Sequence, residues 1–89
     1  MEVKDIARLA AEQGDPDAQF NLGRMYFEGL GVKQDWVLAL MWTSLAAAQG
    51  HQAAIEVQNV LGERLRDDQI AEAQRLALEW TQKKGLPAD

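Results

Sequence analysis

Eighty-nine residues, 47% apolar and 26% charged, describe one globular domain near the size at which a single core only just suffices. A net charge of −5, with no basic cluster larger than Lys83-Lys84, argues against a phosphate backbone as partner. With no cysteine there is neither a disulfide framework nor a thiol nucleophile, and the longest apolar run, 36–42, is about a third of a membrane span.

Met1 leads into Glu2-Val3-Lys4-Asp5 without the basic and apolar regions of a secretory signal, so a cytoplasmic chain without a membrane partner is expected. Alanine, leucine, glutamate and glutamine dominate, which favours helix, and no segment alternates as a strand does. Val3, Ile6, Ala7 and Ala10 mark one face of a first helix that should stop at Gly14. Asp15 is placed to cap a second helix with Pro16 in its first turn, where a missing N–H costs nothing. Its predicted inward face is Ala18, Leu22, Met25 and Tyr26.

Gly29 and Gly31 end that helix, and Val32 is expected to plug the following loop into the core. Asp35 should cap a third helix that runs to about residue 49, where Gly50 ends it as Gly14 ended the first. A fourth helix is predicted over 52–65, with His51 at its cap and Ala54, Val57, Leu61 and Leu65 on one side. Asp67 or Asp68 should cap a fifth, over 69–84, with Ile70, Ala73, Ala77 and Trp80 inward and Lys83 and Lys84 against its negative end.

Thirty-six residues separate Ala10-Ala11-Glu12-Gln13-Gly14 with Ala18 from Ala46-Ala47-Ala48-Gln49-Gly50 with Ala54, so the chain repeats itself. Within 11–47 the spaced residues are Gly14, Ala18, Leu22-Gly23, Tyr26, Gly29, Gly31-Val32, Asp35, Ala39, Trp42 and Ala46-Ala47. This pattern resembles the Sel-one-like repeat (SLR), a relative of the tetratricopeptide repeat that stacks antiparallel helix pairs. The resemblance implies an all-α solenoid of about five helices: a remnant helix (1–14), a full repeat (15–49) and a degenerate terminal repeat with a capping helix (50–85). In that last unit Gln58, Asn59 and Gly62 replace the expected Leu, Gly and Tyr, and the Gly-x-Gly-Val loop is missing.

The third helix departs from the family pattern in another way. Ala39, Trp42 and Ala46 form the face toward the preceding helix, yet the opposite arc, Val37, Leu38, Met41, Leu45 and Ala48, is also apolar where the family usually places Glu, Lys or Arg. A helix apolar all round is covered all round. The cover could be the first or fifth helix, a second copy or a different protein, and burying such side chains contributes about 1.5–3 kcal/mol each. The small size of the array favours a homodimer through this arc.

Chemistry finds little support. His51 is the sole histidine and reads as a cap, Asp67-Asp68 as a helix start, and Gly29-Leu30-Gly31 as a helix end rather than a phosphate loop. Thr43 and Ser44 have no neighbouring general base. No cofactor and no metal are expected. Asn21 and Arg24, with Glu28, lie on what should be the concave face and could hold a peptide as tetratricopeptide clamps do, although Val57 and Val60 stand apolar one repeat later. The resemblance thus implies a non-catalytic adaptor that binds a protein or peptide. The alternative is a small enzyme acting on cell-wall or beta-lactam substrates, since some SLR proteins are linked to that chemistry, but those are rich in cysteine.

Overall fold

The computed structural model describes residues 3–83, with side chains from residue 5 onward. Five helices make up this region: α1 (Val3–Glu12), α2 (Pro16–Glu28), α3 (Trp36–Ala48), α4 (Gln52–Arg64) and α5 (Asp67–Lys83), with no strand among the described residues. Local chemistry sets most of the boundaries. Asp15 accepts hydrogen bonds from the backbone N–H groups of Asp17 and Ala18, and Asp35 accepts one from Leu38 at 3.0 Å. Each caps its helix from an extended backbone, as an N-cap requires. Gly29 and Gly31 take positive φ angles of 73° and 75°, which turns the chain out of α2.

Helix α2 runs antiparallel to α3. Tyr26 O accepts from Asp35 N, Gly23 lies against Ala39 and Thr43, and Gln19 meets Gln49, so residue numbers fall along one helix as they rise along the other. Gly23 is what lets the backbones approach. A Cβ there would sit 2.6 Å from Thr43 Cγ2 and 3.1 Å from Ala39 O. Ala11 O accepts from Gln19 Nε2 at 3.2 Å and Tyr26 Oη accepts from Arg8 at 2.8 Å, which ties α1 along the other flank of α2. The predicted face of α1 is turned: Ala7 packs on the core and Ala11 is fully buried, while Ile6 is 54% exposed. Two alanines four residues apart bring α1 closer to α2 than isoleucine would allow.

The end of the chain departs further from a uniform stack. Seven residues, 29–35, join α2 to α3, but only Leu65 and Arg66 join α4 to α5, and α5 makes its main contact with α3. The sequence explains why α4 offers α5 no seat like the one α2 offers α3. Where α2 has Leu22, Gly23 and Tyr26 buried, α4 has Gln58, whose amide donates to Ser44 Oγ on α3, and the exposed Asn59 and Gly62. The start of α5 also differs from expectation. Asp67 and Asp68 lie inside its first turn, and the capping interaction is the Gln69 side chain accepting from Arg66 N at 3.0 Å. A hydrogen bond from Arg66 holds the Asp68 carboxyl below the usual carboxylate range.

Helix α3 is therefore the axis of the molecule, packed against α2, α4 and α5. Ala39, Leu40, Met41, Trp42, Thr43, Leu45 and Ala46 are all buried along it. Trp42 meets Trp80 of α5 edge to face, with centroids 5.2 Å apart.

Candidate functional site

The helices that begin the two units, α2 and α4, are linked at their heads by His51. Its Nδ1 accepts from Ala54 N at 3.1 Å and so caps α4, its Nε2 lies 2.9 Å from Asp17 Oδ1 on α2, and its ring stacks on Phe20 at 4.7 Å. An acceptor at Nδ1 places the ring proton on Nε2, directed at the carboxylate. A capping residue of this kind fixes the distance between the helices as well as the start of one.

Below that link the helices part into a groove of roughly 370 Å³. Phe20, Phe27, Val57, Val60 and the buried Leu61 line it, with Arg24 and Glu28 on the α2 lip. Phe20 is fixed by His51, and Phe27 stacks on Trp36 at 5.2 Å, so both aromatic walls are held in place. Val60 is 46% exposed. Arg24 and Glu28 face each other at 3.8 Å, one turn apart. The floor is apolar, the walls are preset and the mouth is charged, an arrangement suited to holding side chains rather than transforming them.

The residues singled out in the sequence divide between this groove and the interior. Arg24 and Glu28 stand at its lip, while Asn21 is exposed on α2 and does not line it. In the apolar arc of α3, Met41 is 6% and Leu45 8% exposed within the single chain. Packing against α5 supplies the cover, the first of the alternatives open from sequence, so these two side chains are not available to a second copy. Val37 and Leu38 are half-buried, and Ala48 is exposed beside Trp80 and Gln49. The groove itself was not anticipated, though its signal was present: Phe20 and Phe27 lie two turns apart, and two valines take concave positions. Among the described residues no three His, Asp or Glu side chains are grouped to hold a metal ion, and no helix is long and apolar enough to cross a membrane.

Paired antiparallel helices with glycine at the close crossing and at both helix exits define a helical-hairpin repeat of the tetratricopeptide kind. More particularly, the sequence profile of the Sel1 repeat matches residues 16–51, and this segment is a Sel1 repeat. A Sel1-like repeat-containing protein of Acanthamoeba polyphaga mimivirus is 40% identical over 45 residues, which is 51% of this chain and 8% of the viral protein. The chain thus spans a small fraction of the length of this relative. Sel1 repeats generally mediate protein–protein interaction and typically do so without catalysis.

Proposed function

We infer that this chain is an interaction module that works by binding, and that its binding face is the groove between α2 and α4. The observation that carries this reading is an apolar surface left open between α2 and α4, with Val60 46% exposed and Phe20 and Phe27 stacked in fixed positions. Preset aromatic walls lower the ordering entropy that a partner must overcome. Peptides selected against the folded chain by display, then mapped by amide chemical-shift changes, should perturb α2 and α4. Shifts confined to α1 and α5 would defeat the assignment.

Self-association through the α3 arc is a narrower idea, with Val37, Leu38 and Ala48 as the only arc residues left to carry it. So small an apolar remnant is far below the area of a stable interface. A sedimentation coefficient independent of concentration is the expected result, and a shift toward dimer on concentrating the chain would revive the idea. A location in the cytoplasm fits a binding module without cysteine.

A further inference from the structure

The groove has a second property, set by the charges around it. On a helical wheel of 100° per residue, Glu56 and Glu63 fall within about 20° of each other on α4 and about 40–60° outside Val60. Both are exposed, and being seven residues apart they stand about 10.5 Å from one another along the helix. On the facing lip Arg24 is matched by Glu28. Asp17 stands at the head of the groove beside His51, and Arg64 at its far end in the last turn of α4, where a cation complements the helix dipole. The charged lining of the groove itself, Arg24 and Glu28, is balanced, so the exposed Glu56 and Glu63 on the solvent side of Val60 add acid beside it, in a chain already at −5.

We propose that the partner is a basic amphipathic helix, seated with its apolar stripe on Phe20, Phe27, Val57 and Val60 and its lysines or arginines against Glu56 and Glu63. This rests on the groove being the binding face. Spacing selects a helix over an extended strand. The aromatic walls repeat every seven residues on α2 and the acids repeat every seven residues on α4, which matches two turns of a third helix laid along the same direction. An extended peptide advances about 3.3 Å per residue and would bring its side chains to these points out of register. The apolar floor supplies attraction, while the acidic lip chooses among apolar helices and steers their approach.

The test uses two labelled helical peptides with leucines at heptad spacing, one carrying lysine and the other glutamate on the flank of the stripe, read by fluorescence anisotropy. The whole chain should prefer the lysine peptide by roughly three- to tenfold, as two exposed ion pairs allow, with the preference shrinking as salt is raised. Glu56→Gln/Glu63→Gln should bring the two peptides near parity. Gln74→Lys/Gln82→Lys, which makes the same change in net charge on α5, should leave the preference intact. If those two double variants behave alike, the acidic lip is not the selector and the proposal is overturned. Val60→Asp, at an exposed position that tolerates a polar side chain, should weaken both peptides by roughly tenfold or more. Should Val60→Asp bind as the parent does, or should neither peptide bind the parent, the groove itself is the wrong face, a failure distinct from that of the charge argument.

Discussion

Two glycines inside helices show how far one residue type depends on its surroundings. Gly23 is buried where α2 crosses α3, and a methyl group there would press on Thr43, whose hydroxyl donates to Ala39 O and cannot swing aside. Gly23→Ala should cost about 1–3 kcal/mol through this overpacking, despite alanine's better helix propensity. Gly62 occupies the matching place in α4 one repeat later relative to Tyr26, is exposed, and has nothing within 4 Å of an added Cβ. Gly62→Ala should raise stability by about 0.5–1 kcal/mol, since only the entropic penalty of glycine is removed. Urea denaturation of both variants checks the pair, and a matching sign for the two changes would mean the crossing is looser than described.

At the level of the helix, α3 carries the clearest lesson about reading an apolar arc. Its composition announces burial on more than one side, which Met41 and Leu45 meet and the half-buried Val37 and Leu38 and exposed Ala48 do not, and composition does not say what supplies the cover. The missing loop between α4 and α5 sends α5 onto α3, so that Met41 and Leu45 become interior. Met41→Glu should therefore destabilise the fold by several kcal/mol, by placing a carboxylate at a site only 6% exposed. The expected readout is a lowered melting temperature for a monomer. An unchanged melting curve with an altered sedimentation profile would instead indicate an interface. The helix starts were far more legible: Asp15, Asp35 and His51 each cap where expected, because a cap is decided by residues within one turn. Asp67-Asp68 misled for a complementary reason. Acidic residues are favoured throughout a first turn, so they mark the region of a start without marking its first residue.

For the whole molecule, the aromatic pair of Trp42 and Trp80 joins the central helix to the last one. Trp42 is 5% exposed, and Trp42→Ala should cost about 3–5 kcal/mol. A domain of this length has a total stability of only roughly 4–13 kcal/mol, so that variant should stand near the edge of unfolding, as far-UV circular dichroism with heating would reveal. A cooperative transition close to that of the parent would show that α5 contributes little to the core.

What the amino-acid sequence determined alone is local or periodic: five helices, the N-caps of α2, α3 and α4, the glycine exits, and the spaced Gly, Ala, Leu, Tyr and Trp residues by which 16–51 match the Sel1 repeat. Each depends on neighbours within a turn, or on a pattern whose every element is visible along the chain. Only the tertiary structure decided that α5 shields α3, that Ile6 faces outward, and that Phe20, Phe27, Val57 and Val60 meet across a groove. Those outcomes turn on how helices distant in sequence cross, and crossing is governed by the combined shapes of several side chains and by the length of the connecting loops rather than by any one segment.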